Sequence, residues 1–182
     1  MFKTLKDFNV QGKRVLVRCD FNVPLDEEGN ITDDFRIRQS LPTINYLIKN
    51  KAKIIIISHL DPESTGMADK KYSLKKVGER LEKLLGVKLG GDVQLLENLR
   101  FNKRETESPP AGGLEFAKEL AEKGDIFIND AFSVCHRNHA SIALLPKLLP
   151  SGVGLLLEKE IESLNNFLGY MQPPAVRYLR LD

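Results

Sequence analysis

Four short apolar runs, each followed at once by polar residues, constrain the fold of this chain more than any other feature. The runs cover 15–19, 53–57, 93–96 and 125–128, and the polar groups after them begin at Asp20, Ser58, Glu97 and Asn129. Short apolar runs separated by helix-like stretches are typical of buried parallel strands in an α/β sheet. Ligands of such sheets bind beyond the carboxyl ends of the strands. The pattern therefore predicts one shared site at that edge.

The alternation of strand and helix patterns predicts an α/β fold, namely a three-layer, doubly wound parallel sheet of the Rossmann-like kind in a single domain. Ser73 is the predicted N-cap of the second helix, Gly86 its predicted end, and Pro42 predicts an irregularity in the first helix. The predicted strands cover about 13–19, 53–58, 92–96, 125–128 and 152–156, and the predicted helices about 34–50, 74–85, 114–123, 142–145 and 158–168.

Composition narrows the class of protein. The net charge of +2 is too small to argue for nucleic acid or a membrane surface. No apolar run approaches the roughly 20 residues that span a bilayer, and the N-terminus lacks the pattern of a secretory signal. Two cysteines, Cys19 and Cys135, do not make a disulfide framework, so reduced thiols are expected. These features predict a cytoplasmic protein that binds neither nucleic acid nor a membrane.

Arginines and histidines near the strand ends predict an anionic ligand. The guanidinium group is a planar fork of donors that matches carboxylate and phosphate oxygens. For any single arginine the ordinary interpretation is a solvated surface charge, and that alternative is weakest for Arg18 and Arg100, which lie at the ends of apolar runs. The candidates are Arg18, Asp20, Asn22, Arg36, His59, Arg100, His136, Arg137 and His139.

Other site types are disfavoured by spacing. Cys135, His136 and His139 could present three zinc ligands, but no second Cys/His pair is spaced for the site and Arg137 would place a cation beside the metal. No metal is therefore predicted. No glycine-rich loop of a kind that cradles nucleotide phosphates occurs, and the serines lack a nucleophile-elbow context.

The segment Gly12-Lys-Arg-Val-Leu-Val-Arg-Cys-Asp-Phe-Asn-Val-Pro24 resembles the opening signature of the phosphoglycerate kinase family. Further matching blocks follow in the family's order over about residues 5–176. They are 31–44, Ser58-His-Leu60, Tyr72-Ser-Leu74, Leu95-Leu-Glu-Asn-Leu-Arg-Phe101, Asn129-Asp-Ala-Phe132, His136-Arg-Asn-His-Ala-Ser141 and Glu158-Lys-Glu-Ile161. Together these blocks are highly specific.

The resemblance implies two α/β domains joined by a hinge, the first binding 3-phosphoglycerate through a basic patch and the second binding Mg-ATP or Mg-ADP. It implies that residues 1–172 are the substrate domain and that 173–182 form the hinge or the start of the second domain. Arg36 would be the catalytic arginine that stabilises the phosphoryl group in transit. The implied substrate-binding residues are Asp20, Phe21, Asn22, Arg36, His59, Arg100 and Arg137, with Arg18, His136 and His139 in support.

The chain departs from the family pattern at several places. The family's Ser-His-Leu-Gly-Arg-Pro loop has Asp61 in place of the glycine and lacks the arginine, which predicts weaker substrate binding. About twenty residues of the family pattern are missing between Val87 and Gly91, which predicts a shortened peripheral strand-helix unit and an exposed sheet edge or apolar patch. Ser133-Val-Cys135 stands where Gly-Thr-Ala is usual.

The family's Gly-Gly-Ala-Lys phosphate loop does not follow Val176. The nucleotide-binding half is therefore expected to be absent, with no Mg²⁺ or nucleotide bound by this chain alone and a separately encoded nucleotide domain as a candidate partner. Three interpretations stay open: the substrate half of a phosphoglycerate kinase, a module that binds 3-phosphoglycerate without turnover, and a remnant without function.

Overall fold

Strand β1 (Arg14–Arg18) lies at the centre of a parallel sheet with the order β3-β2-β1-β4-β5. This computed structural model describes residues 2–60, 70–107 and 112–171. Val15 lies opposite Ile54 on one side and Ile126 on the other, so the three apolar runs are in register. The other strands are β2 (Lys53–Ile57), β3 (Val93–Leu95), β4 (Ile126–Asn129) and β5 (Ser151–Val153).

Helices cover both faces of the sheet because the strand side chains alternate between them. Val15 and Val17 of β1 point to the face covered by α1 (Phe35–Lys49) and α2 (Lys75–Leu85), whereas Leu16 points to the face covered by α3 (Gly113–Ala121). Each face has its own buried apolar cluster, with Ile44 and Leu81 in the first and Phe116 and Leu120 in the second. The predicted three-layer, doubly wound α/β fold is confirmed.

The helix ends follow local signals. Gly86 ends α2 in the left-handed conformation, with a φ of 69°, as predicted. The predicted N-cap is one residue too early, because Leu74 occupies the cap position; the Ser73 hydroxyl still accepts a hydrogen bond from the Lys75 N–H at 3.2 Å. Helix α1 continues through Pro42. None of the helices in the described ranges is long and apolar enough to cross a membrane.

The predicted strand over 152–156 is wrong in its second half, because β5 ends at Val153 and helix α4 (Leu155–Met171) begins two residues later. The buried Asp130, just after β4, accepts hydrogen bonds from the Leu156 and Leu157 N–H groups at 3.0 and 3.3 Å. Thr43 of α1 accepts one from the Leu155 N–H at 2.9 Å. These contacts give hydrogen-bond acceptors to the N–H groups of the first turn of α4, and the acceptors come from residues distant in sequence.

The predicted short helix over 142–145 is instead a π-helical turn, Ala140–Leu144, followed by the 3-10 turn Leu145–Lys147. The predicted helix over 158–168 begins three residues early, at Leu155.

The shortened unit is at one edge of the sheet. Strand β3 has three residues and pairs only with β2 among the described residues. The Gly90 N–H donates to the Val93 carbonyl at 3.0 Å, so the turn before β3 covers part of this edge. Strand β3 is therefore an edge strand of the described sheet, and its edge is only partly exposed.

Gly154 is the position at which a side chain would disturb the start of α4. The Asp130 carboxylate occupies the space that a Cβ on Gly154 would need. We expect Gly154→Ala to lower the free energy of unfolding by about 2–4 kcal/mol, since it overpacks the site and displaces the capping group. Gly91→Ala is the control, because Gly91 has open space around it, and it should change stability by less than about 0.5 kcal/mol. Urea unfolding followed by circular dichroism measures both; equal losses would contradict the packing argument.

Asp130 also makes stability depend on pH. Burial raises the pKa of its carboxyl from 3.8 to about 6. Because the folded state then binds this proton more tightly than the unfolded chain, its contribution to the free energy of unfolding falls as pH rises through that range, by about 2–3 kcal/mol. Asp130→Asn removes this dependence. Unfolding at about pH 4 and about pH 7 should show a larger loss for the wild type than for the variant, and identical pH profiles would refute the assignment.

Candidate functional site

The exits of β1 and β2 are joined at the carboxyl edge of the sheet by one buried serine. The Ser58 hydroxyl donates to the Cys19 carbonyl at 2.8 Å and accepts from the Phe21 N–H at 2.9 Å. Asp20 and His59 are therefore held on neighbouring loops above adjacent strands. The predicted gathering of polar residues at this edge follows from the parallel register.

Asp20 positions Arg36 at the mouth of the site. Its carboxylate forms an ion pair with the Arg36 guanidinium and accepts hydrogen bonds from the Ser133 hydroxyl and the Asn22 N–H. Asp20 is almost buried, whereas the Arg36 side chain is 46% exposed. Arg36 lies in the first turn of α1, so the start of that helix decides where the guanidinium group lies.

Arg18 lies behind the site and is completely buried. Its Nη1 donates to the Cys19 carbonyl at 2.5 Å, its Nε to the Ser141 hydroxyl at 3.1 Å, and its Nη2 is 3.1 Å from His59 Nδ1. The Ser141 hydroxyl donates in turn to the buried Glu105 carboxylate at 2.6 Å. Arg18 is therefore enclosed by protein groups.

Two histidines lie among these cations. Burial first, and then the positive charges of Arg18 and Arg100, lower the pKa of His59 to about 2. Burial and the charge of Arg100 lower the pKa of His139 to about 4. Both rings are therefore neutral near pH 7. The Nδ1 atom of His139 lies 4.0 Å from a Glu105 oxygen, beyond hydrogen-bond distance.

The other predicted residues differ in exposure. Arg100 is buried in the 3-10 turn Leu99–Phe101 that follows β3, whereas His136 and Arg137 are exposed. Besides burial, the charges of Arg100, Arg18, Arg137 and His136 each contribute to lowering the pKa of His139.

Phe21 is oriented differently from the other predicted ligand residues. Its ring is fully buried in the core, its N–H donates to Ser58, and its carbonyl accepts from the Val23 N–H at 2.8 Å. Its observed role is therefore packing. Asn22, its neighbour, lines a cavity of about 420 Å³ together with Arg36 and Tyr72.

Sequence reasoning missed three residues that build the site. Glu105 lies within the charged run 103–107, which looks solvated in sequence, yet it is fully buried. Ser141 gives no local signal, because its partners lie far away in sequence. Ser133 carries the one available signal, since it replaces a glycine of the family pattern and its hydroxyl binds Asp20.

The described ranges contain no group of three or more His, Cys, Asp or Glu side chains that could hold a metal ion. Asp61 and the rest of the loop 61–69 lie outside the described residues, as do 172–182, which include the predicted hinge or start of a second domain over 173–182.

Comparison with known proteins identifies the family. The family model for phosphoglycerate kinase matches residues 5–179. The chain belongs to the phosphoglycerate kinase family. It is 48% identical to a phosphoglycerate kinase of Aquifex aeolicus over 197 residues, covering 97% of this chain and 48% of that protein. It is also 48% identical to one of Borrelia hermsii over 193 residues, covering 96% of this chain and 48% of the relative.

Solved structures of the family have the same fold. The phosphoglycerate kinase from Coxiella burnetii superposes with a TM-score of 0.83 at 37% identity, covering 91% of this chain and 45% of that one. The enzyme from Pyrococcus horikoshii gives 0.81 at 31% identity, covering 96% and 47%. The chain thus spans about half the length of the family members it matches.

The alignments also support the shortened unit. The 197 aligned positions with the Aquifex protein cover 97% of 182 residues, so that relative has about twenty positions in the matched region that this chain lacks. The edge position of β3 fits the loss of a peripheral unit.

Ser58 should matter more for stability than an ordinary serine. Ser58→Ala leaves the buried Cys19 carbonyl and Phe21 N–H without this partner, so we expect a loss of about 1–3 kcal/mol in the free energy of unfolding. Ser163→Ala is the matched control, because Ser163 is exposed on α4 and bonds only the Lys159 carbonyl in its own helix. It should change stability by less than about 0.5 kcal/mol. Comparable losses in chemical denaturation would rule out a special role for Ser58.

Proposed function

We propose that this chain is the substrate half of a phosphoglycerate kinase and binds 3-phosphoglycerate at the carboxyl edge of its sheet. The observation that carries the proposal is the half-exposed Arg36, held by the nearly buried Asp20 beside further cationic residues. Membership of the phosphoglycerate kinase family supports the identity of the ligand.

The chemistry of the ligand fits these residues. 3-Phosphoglycerate carries a carboxylate and a phosphate, both of which match the planar donor fork of arginine. In the proposal Asp20 and Asn22 hold the hydroxyl and carboxylate end, while His59, Arg100 and Arg137 bind mainly the phosphate. His136 and His139 support Arg137, and Arg18 supports His59.

Arg36 is the proposed catalytic residue. Phosphoryl transfer depends mostly on positioning and on neutralising the charge of the group in transit, and a guanidinium group at the mouth of the site supplies both. The acceptor carboxylate of 3-phosphoglycerate is already a nucleophile, so the proposal needs no general base in this chain.

In this proposal the nucleotide is bound by a second domain and not by the described residues of this chain. In the family, the second domain binds the nucleotide, so that ATP would donate the phosphoryl group or ADP would accept it there, and Mg²⁺ would neutralise part of its charge. The described residues of this chain offer no group of His, Cys, Asp and Glu side chains that could hold a metal ion. A separately encoded nucleotide domain is the proposed partner, and a cytoplasmic location is part of the same proposal.

A second candidate is a module that binds 3-phosphoglycerate without turnover. The chain spans about half the length of the relatives it matches, which fits both candidates equally. The two candidates share the same binding site and differ in whether the chain turns over substrate when a nucleotide domain is added. The replacement of the loop arginine by the Asp61 segment is proposed to weaken binding in either case.

Isothermal titration with 3-phosphoglycerate tests the shared proposal. We expect measurable binding to the full chain, and at least tenfold weaker binding for Arg36→Ala and Arg100→Ala, because a charge-assisted hydrogen bond contributes about 1.5–3 kcal/mol. Arg38→Ala is the control: Arg38 lies two residues further along α1 and pairs with Asp34 on the surface. Its affinity should stay within about twofold. No heat with the wild type would sink the binding proposal, whereas an equal effect of all three substitutions would sink the assigned site.

A further inference from the structure

A chain of buried hydrogen bonds runs behind the site from Glu105 to His59. The Glu105 carboxylate accepts from the Ser141 hydroxyl at 2.6 Å and from the Ser141 N–H at 3.0 Å. The same hydroxyl accepts from Arg18 Nε at 3.1 Å, and Arg18 Nη2 lies 3.1 Å from His59 Nδ1. All four side chains are buried, the most exposed being His59 at 3%.

The direction of each hydrogen bond between Glu105 and His59 follows from which of the groups can donate a hydrogen. Arginine has donors only, so His59 Nδ1 has to be the acceptor and cannot carry a proton. The hydrogen of the neutral ring is then on Nε2. Ser141 accepts from Arg18, and its own hydrogen is therefore directed to Glu105. One arrangement of protons satisfies all of these contacts.

Glu105 supplies the charge that makes the arrangement stable. Burial lowers the pKa of the fully buried Arg18 and raises the pKa of Glu105, and the charge of each group opposes the shift of the other more than any other charge does. A buried cation without a nearby anion is strongly disfavoured. Two hydrogen bonds from Ser141 hold Glu105 in place without requiring direct contact with Arg18, so the carboxylate balances the charge while Nε, Nη1 and Nη2 of Arg18 each reach another partner, namely Ser141, Cys19 and His59.

We propose that Glu105 and Arg18 are positioning residues for His59. They keep its neutral ring unprotonated at Nδ1 and protonated at Nε2, so that the ring presents one fixed hydrogen-bond donor to the anionic ligand. The role of this donor in ligand binding rests on the proposed binding of 3-phosphoglycerate. The proton arrangement itself is a property of the free chain.

Nitrogen NMR of the ¹⁵N-labelled full chain tests the arrangement without ligand. At about pH 7 we expect His59 to show a protonated Nε2 and an unprotonated Nδ1 whose resonance carries the upfield shift of a hydrogen-bond acceptor. Arg18→Met should abolish that shift and allow the Nδ1–H form to appear. A wild-type ring protonated at Nδ1, or an Nδ1 resonance unchanged in Arg18→Met, would overturn the proposal.

Glu105→Gln and Ser141→Ala test the part of this hydrogen-bond series that lies farthest from His59. Both should alter the His59 Nδ1 resonance and weaken 3-phosphoglycerate binding at least threefold. Glu119→Gln is the matched control, because Glu119 pairs with Arg104 on the surface, and it should change neither. Should Glu105→Gln fail to fold, the smaller Ser141→Ala change decides, and an unaltered His59 resonance there refutes the role of Ser141 and Glu105.

Failure of the proposed function gives a different result. A wild-type chain that shows the expected His59 signals and their loss in the variants, yet binds no 3-phosphoglycerate, supports the positioning roles and rejects the ligand.

Discussion

The burial of one positive charge organises the carboxyl edge of this sheet. Arg18 ends the central strand with no exposed surface, and a guanidinium group in that position has to find hydrogen-bond acceptors and a compensating anion inside the protein. Those groups come from Cys19, His59, Ser141 and Glu105. Segments that are far apart in sequence therefore have to converge there, and Asp20 and Arg36 lie at the same edge of the sheet.

Two carboxylates near this edge have separate tasks. Asp20 faces the mouth of the site and holds Arg36 and Ser133, whereas Asp130 faces inward and satisfies the start of α4. Helix α1 connects the two, because Arg36 lies in its first turn and Thr43, two turns later, accepts the Leu155 N–H of α4.

The shortened unit predicted between Val87 and Gly91 adjoins β3 at the edge of the sheet and not the central strands β1, β2 and β4. Strands β1, β2 and β4 are paired in register at the centre of the sheet and are each followed by polar residues. Strand β3 is the edge strand, next to the shortened segment. Loss of an edge unit exposes one strand but does not separate the strands that carry the site. Close superposition with two solved phosphoglycerate kinases fits this explanation.

The sequence by itself determined the features that depend on local pattern. Apolar runs predict the strands, helical spacing predicts α1, and Gly86 ends α2, because each is decided by neighbours a few residues away. Polar residues at the strand ends also place Asp20 and His59 at one edge, since parallel strands end together. The burial of Glu105, its link through Ser141 and the early start of α4 at Leu155 were decided only by the tertiary structure. Their partners lie tens of residues away, so no local pattern carries the information.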